Sequence, residues 1–144
     1  MSLLEELYRE TIMQHAQRPH NFGSLEGATV KVGGHNPSCG DQIELYLKVE
    51  DGRIVEARFT GHGCAISQSS ASMMTDLIRG RTLTEALELK KKFKAMVVEG
   101  RPPAPELGDL GALQGVAKLP ARVKCATLAW NALEQAIGQI GEAP

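Results

Sequence analysis

Ile43-Glu44-Leu45-Tyr46-Leu47-Lys48-Val49 runs into Glu50-Asp51-Gly52-Arg53 and returns as Ile54-Val55-Glu56-Ala57-Arg58-Phe59-Thr60. In the first arm Ile43, Leu45, Leu47 and Val49 share one face, and Glu44, Tyr46 and Lys48 the other. That period of two marks a strand buried on one side. Asp51-Gly52 is a hairpin signal, because the tight turn needs positive φ and Gly accepts it without strain. The return arm places Val55, Ala57 and Phe59 on one face. Such a hairpin has one apolar and one wetted side, so helices should cover it on one face only.

Working outward, Ala28 to Val32 is a candidate strand ahead of the hairpin, and Gly33-Gly34 reads as a turn. Leu4 to Gln17 has helical spacing of Leu4, Leu7, Tyr8 and Met13, with Ser2 as cap and Pro19 as stop. Beyond the hairpin the period changes. Ala65 to Arg79 reads as a helix ended by Gly80, with Ile66, Ser70, Met73, Met74, Leu77 and Ile78 inward. Thr82-Leu83-Thr84-Glu85 is a capping box that opens a third helix running to about Phe93. Gly100 to Gly115, with Pro102-Pro103-Ala104-Pro105, reads as a loop excursion. A last helix runs from Pro120 to about Ile137 and should bury Leu128, Trp130, Leu133 and Ile137. There is no internal repeat and no linker. The expectation is one domain over residues 1–144, with a loop-rich insertion around 95–117.

Composition narrows the function. The chain has 144 residues, 42% of them hydrophobic, enough for one real core; only 4% are aromatic, so aliphatic side chains must fill it. A net charge of −1 lacks the basic stripe of a nucleic-acid or anionic-membrane binder. Lys90-Lys91-Lys92-Phe93-Lys94 reads as a solvated helix end. No apolar run approaches the roughly 20 residues that span a bilayer. The first residues carry Glu5 and Glu6 where a signal peptide would be basic. A cytoplasmic location is expected, where thiols stay reduced.

Three cysteines remain to be explained: Cys39, Cys64 and Cys125. An odd count does not make a disulfide framework. The hairpin puts Cys39 before its first strand and Cys64 after its second, and those two ends lie side by side in an antiparallel pair. Cys125 must arrive from the first turn of the last helix. Asp41 stands two residues after Cys39. Three thiolates and one carboxylate suit a thiophilic metal or a small iron–sulfur cluster. Cys64 opens a helix, and Arg122 and Lys124 flank Cys125; both settings favour a thiolate. Gly40, Gly61 and Gly63 allow close backbone approach. The plain alternatives stay open: an inert buried thiol at each cysteine, and at Asp41 a turn residue bonded to backbone N–H groups. There is no Cys-x-x-Cys pair of the zinc-ribbon kind. His15, His20, His35 and His62 are expected as surface or hydrogen-bonded histidines, with His62 as a spare donor near Cys64. Ser67, Ser69, Ser70 and Ser72 have no acid–base partners and read as small helix-packing residues.

Pro19-His20-Asn21-Phe22-Gly23, Asn36-Pro37-Ser38-Cys39-Gly40-Asp41, Gly61-His62-Gly63-Cys64-Ala65-Ile66-Ser67 and Pro120-Ala121-Arg122-Val123-Lys124-Cys125-Ala126 occur in that order. With them the chain resembles the IscU/SufU family of iron–sulfur cluster assembly proteins over nearly its whole length. The resemblance implies an α+β fold, a three-stranded antiparallel sheet packed on helices. It implies a site of Cys39, Asp41, Cys64 and Cys125 that binds zinc or holds a nascent [2Fe–2S] cluster. It also implies sulfur supplied as a persulfide by a cysteine desulfurase partner and passed toward downstream assembly or acceptor proteins. The SufU branch fits better. Residues 107–116 look like the insertion of that branch, and Lys124 stands where IscU proteins carry histidine. Leu119-Pro120-Ala121-Arg122-Val123-Lys124 replaces the Leu-Pro-Pro-Val-Lys motif, so an Hsp70-type chaperone is not carried over as a partner. Arg122 matches the arginine of the SufU-like pattern and is expected to contact the partner or the site.

Three functions follow as expectations. The first is a zinc-bound sulfur relay, with Cys39 as acceptor and Cys125 as the alternative acceptor. The second is a scaffold that assembles a [2Fe–2S] cluster. The third is a zinc-stabilised interaction domain without sulfur chemistry. A metallohydrolase fits poorly, because such sites keep an open position and more nitrogen ligands.

Overall fold

The computed structural model describes residues 3–37 and 40–141, with side chains from 9 to 37 and from 40 to 140. Three strands, β1 (Val30–Asn36), β2 (Asp41–Glu50) and β3 (Arg53–His62), follow a first helix, α1 (Leu3–Gln17). Then come α2 (Ala65–Ile78), α3 (Leu83–Val97), a 3₁₀ stretch at Pro105–Lys118 and α4 (Pro120–Gly141). The sheet order is β1-β2-β3, antiparallel throughout. α2 and α4 pack against it, and α1, α3 and the 3₁₀ stretch pack on those helices. This is the expected α+β arrangement. No helix of the described residues is long and apolar enough to cross a membrane.

The hairpin forms as its sequence predicts. Asp51 and Gly52 both take positive φ, 53° and 73°, as a type I′ turn requires. One detail differs. The return strand buries Ile54, Ala57 and Phe59 and exposes Val55. The cause is an irregularity in the ladder: Lys48 pairs with Glu56, but Val49 pairs with Ile54. The skipped residue reverses the alternation, as a bulge does.

β1 lies further along than expected, and Gly33 and Gly34 sit inside it opposite Glu44 and Ile43. At Gly34 a Cβ would come within 3.1 Å of Leu128 Cδ1 and 3.2 Å of Ile43 Cγ2. Glycine there lets α4 lie close on the sheet. The free edge of β3 is covered at both ends. Gly23 N–H donates to Phe59 O and Phe59 N–H to Asn21 O, while Ile54 N–H donates to Arg81 O and Leu83 N–H to Gly52 O. An edge dressed this way is closed to further strands.

The predicted capping box is present: Thr82 accepts from Glu85 N–H, and Glu85 accepts from Thr82 N–H. α3 continues past Phe93 to Val97; Lys91 and Lys92 are exposed and Lys94 is in the last turn, as a solvated helix end requires, but the run is not solvated throughout. Phe93 is buried and stacks on Trp130 at 5.1 Å, and Lys90 is buried and paired with Glu134 of α4. A lysine can bury its stem this way when its ammonium reaches a carboxylate. Residues 105–118 form 3₁₀ turns, kinked at Gly108, instead of an open loop. Leu107, Leu110, Leu113 and Val116 go into the core. Short apolar spacing between glycines hid that signal. Leu128, Trp130, Leu133 and Ile137 are buried as expected. The proposed Ser2 cap and Cys39 lie outside the described residues.

The bulge makes neighbouring residues unequal. Ile54→Ala should cost about 2–5 kcal/mol of unfolding free energy, and Val55→Ala under about 1 kcal/mol. Urea denaturation of both variants checks this; equal losses would contradict the register.

Candidate metal centre

The site forms where three elements end together. Asn36 closes β1, Asp41 opens β2, and the two are paired. β3 ends at His62, opposite Gln42, and Cys64 follows as the N-cap of α2. Cys125 comes from the start of α4. One ligand atom each from Asp41, Cys64 and Cys125 lies within 4.8 Å of the others. Neither Cys64 nor Cys125 is in a disulfide.

Asp41 is fully buried. Its Oδ1 accepts from Cys64 N–H at 2.9 Å, and Oδ2 accepts from Asn36 Nδ2 at 3.4 Å. Burial alone would raise its pKa. Hydrogen bonds from Cys64 N–H and from the side chains of Cys125, Ser67 and Asn36 outweigh it and hold the carboxyl below its ordinary value. The group is therefore ionised at neutral pH, as a ligand must be. The turn-residue reading of Asp41 is also partly met, since it does accept a backbone N–H.

Asn36 was not singled out by its sequence context, yet it joins the two sides of the site. Buried, it donates from Nδ2 to Asp41 and lies 3.6 Å from Cys125 Sγ. The serines behave as expected, and each hydroxyl is used. Ser67 donates to Cys64 O, Ser69 to Ile66 O, and Ser70 to Ala126 O at 2.7 Å. The last bond ties α2 to α4 one residue past Cys125 and so fixes where that thiol stands. Only the local polar residue types hinted at these roles; partners 56 residues apart were not readable.

Two glycines make the close approach feasible. At Gly61 a Cβ would sit 2.1 Å from Gln42 O. At Gly63 it would sit 2.4 Å from Asp41 Oδ1 and 2.6 Å from Ser67 Oγ. The strand-to-helix turn can press onto the carboxylate only without side chains there.

Of the predicted ligands, three are brought together and the fourth, Cys39, lies outside the described residues, two positions before Asp41. Arg122 and Lys124 are exposed on the first turns of α4, whereas Cys125 is buried. His62 and His35 are exposed and outside the Asp41 cluster. The donor set of one buried carboxylate and two thiols, with a third thiol nearby in sequence, fits a thiophilic cation such as zinc.

A second group also emerges. His15, His20 and Asp76 offer ligand atoms within 4.8 Å of one another. Both histidines are hydrogen-bonded, as expected, but their joining with Asp76 was not foreseen.

Comparison with known proteins agrees with this geometry. The NifU-like N-terminal domain model matches residues 7–142. The zinc-dependent sulfurtransferase SufU of Bacillus subtilis is 46% identical over 138 residues, covering 94% of this chain and 92% of that protein. The iron–sulfur cluster assembly scaffold protein IscU of Streptococcus pyogenes is also 46% identical, covering 95% of this chain and 86% of its own. The crystal structure of the N-terminal part of a nitrogen-fixing NifU-like protein from Brucella abortus superposes with a TM-score of 0.89 at 26% identity, covering 99% of this chain and 100% of that one. A match across almost the whole chain, on a sheet and helices of the same arrangement, makes this protein a member of the IscU/SufU family, built on the NifU-like N-terminal domain.

Proposed function

We propose that the protein serves iron–sulfur cluster biogenesis by accepting persulfide sulfur from a cysteine desulfurase at Cys39. The observation that carries this reading is the convergence of Asp41, Cys64 and Cys125 within 4.8 Å, at the strand end that Cys39 precedes by two residues. Asp41, Cys64, Cys125 and Cys39 would hold Zn²⁺, which when bound favours the deprotonated thiol. The remaining chemistry belongs to the side chains. The Cys39 thiolate attacks the outer sulfur of the desulfurase persulfide. A new S–S bond forms to Cys39, the donor S–S bond breaks, and its electron pair leaves on the desulfurase thiolate. No net oxidation occurs. Asp41 enters the site already charged, held so first by the Cys64 N–H hydrogen bond. Arg122, exposed at the start of α4 three residues before Cys125, would contact the partner or the site. Reduced thiols persist in the cytoplasm, where we place the protein.

A scaffold reading has its own support in the equally similar relative named as an IscU scaffold. There the same residues would hold a [2Fe–2S] cluster as cargo, to be passed to acceptor proteins. A carboxylate binds soft centres less firmly than a fourth thiolate, which suits release in either case. Elemental analysis of gently purified protein, with anaerobic iron–sulfide reconstitution and transfer to an apo-ferredoxin, separates the two. Tight zinc and no transferable cluster supports the relay; a transferable cluster supports the scaffold.

Cys39→Ala should abolish acceptance of ³⁵S-labelled persulfide sulfur and leave the far-ultraviolet circular dichroism unchanged. Full acceptance by that variant would move the role to Cys125 or Cys64. Gly63→Ala drives a methyl into the Asp41 carboxylate and should weaken zinc binding at least about 10-fold, measured by competition with a chromophoric chelator. Chelation itself should lower Tm without unfolding the chain at 25 °C, because the core of Phe59, Phe93 and Trp130 is complete without the site. Unfolding on chelation would favour the zinc-stabilised interaction domain instead.

A further inference from the structure

Proline ends α1, and the chain turns back so that His15 and His20 meet the C-terminal half of α2. Their rings are 4.5 Å apart, centroid to centroid. His15 is buried, with Nδ1 2.7 Å from Ser72 Oγ. The same hydroxyl accepts His20 N–H at 2.7 Å, so one buried serine sets both residues. His15 Nε2 faces Asp109 Oδ2 at 4.0 Å, wider than a hydrogen bond. His20 Nδ1 lies 2.5 Å from Asp76 Oδ2, and Asp76 Oδ1 accepts from Asn21 Nδ2 at 2.9 Å. Asn21 takes a positive φ of 57° and is itself held by Arg79 at 3.1 Å. Beside these groups is a cavity of about 180 Å³ lined by His15, Asp76, Asp109 and the apolar Met73, Leu107 and Leu110.

We propose that His15, His20 and Asp76, with Asp109 as a fourth donor, form a binding site for a divalent first-row transition cation, separate from the cysteine centre. Two imidazoles with carboxylates select zinc-like or iron(II)-like ions over magnesium and calcium, which prefer all-oxygen sets. If His15 gives its Nδ1 proton to Ser72, as metal-bound histidines give theirs to an outer partner, Nε2 keeps its lone pair for the ion. Burial, helped by the charge of His20, holds the His15 pKa below its ordinary value against the pull of Asp76 and Asp109. The side chains of His20 and Asp76 are 55% and 41% exposed, which gives the ion a way in and the ligands freedom to rotate. Tetrahedral bonds near 2.0 Å set donor atoms roughly 3.3 Å apart, so His20 and Asp76, now 2.5 Å apart, would part slightly while the wider pairs close in. The contact between His20 and Asp76 is given up to the ion as it enters. Asp109 comes from the 3₁₀ stretch, so an ion here would join α1, α2 and that stretch.

The proposal does not rest on sulfur transfer. Zinc-free, untagged full-length protein is titrated anaerobically with Co²⁺ and followed by absorption. Binding at the cysteine centre gives an intense thiolate-to-cobalt charge-transfer band; binding by nitrogen and oxygen donors gives only weak d–d bands. Two Co²⁺ per chain are expected, the second adding no charge-transfer intensity. His20→Ala and Asp76→Asn should each weaken that second event at least about 10-fold and leave the charge-transfer band intact. A single Co²⁺ per chain that carries the charge-transfer band, or a d–d binding event unmoved in both variants, overturns the site. Loss of the charge-transfer band in wild-type protein would instead speak against the cysteine centre alone.

Discussion

The hydrogen bond from Cys64 N–H to Asp41 Oδ1 is the contact on which the rest of the centre depends. A fully buried carboxylate without partners would cost several kcal/mol. Here it closes the seam between the start of β2 and the start of α2, and charge-assisted bonds of this kind contribute about 1.5–3 kcal/mol each. It also sets a negative charge at a helix N-terminus, where the backbone dipoles favour it. Much of the desolvation that a metal ligand requires is thus completed when the chain folds. The same bond explains Gly63, because any side chain there would occupy the space of the carboxylate oxygen.

Helix α2 explains why the site can be both buried and polar. Its residues from Ser67 to Thr75 are buried in an unbroken run. Along that run short hydroxyls take most of the positions that face polar neighbours, with Gln68 the one longer polar side chain. Ser70 reaches α4, Ser72 reaches the exit of α1, and Thr75 returns its proton to Ser72 O. Each buried hydroxyl is satisfied, which makes the helix a fixed rod between Cys64 and Asp76. What reads in sequence as a run of small residues is the means by which three helices are held in one position.

The strong local signals were legible. Alternation in β2, the Asp51-Gly52 turn, the Thr82–Glu85 capping box and Pro120 each reflect short-range physics, and each appears in the fold. Failures arose where tertiary packing overrode the local pattern. Val55 reads as inward because alternation assumes an unbroken ladder, and a bulge is invisible without the partner strand. Gly33-Gly34 reads as a turn because nothing local announces that α4 will lie on it. Gly100 to Gly115 reads as a loop because its prolines and glycines outweigh the spaced Leu107, Leu110 and Leu113, which the 3₁₀ turns bury. At the site, ligand types and their meeting at the hairpin ends were readable. The roles of Asn36 and Ser70 were not, since each depends on a partner brought in from another element. Nothing local joins His15 to His20, and only the turn around Pro19 brings them onto Asp76.

α2 also fixes the relation between the two candidate metal sites. Cys64 precedes its first residue and Asp76 lies in its last turn. Twelve residues at 1.5 Å each put the two about 18 Å apart along the axis. That is about two Debye lengths at physiological ionic strength, so charge on one cation is largely screened from the other where solvent reaches. It is also much too far for one ion to be shared or handed directly between the two ligand sets. Any coupling would have to pass through movement of α2 itself, and a helix enclosed on every side with its hydroxyls bonded to three neighbours resists such movement. The two centres should therefore load independently, with the histidine cluster bracing the far end of the rod whose near end presents Cys64.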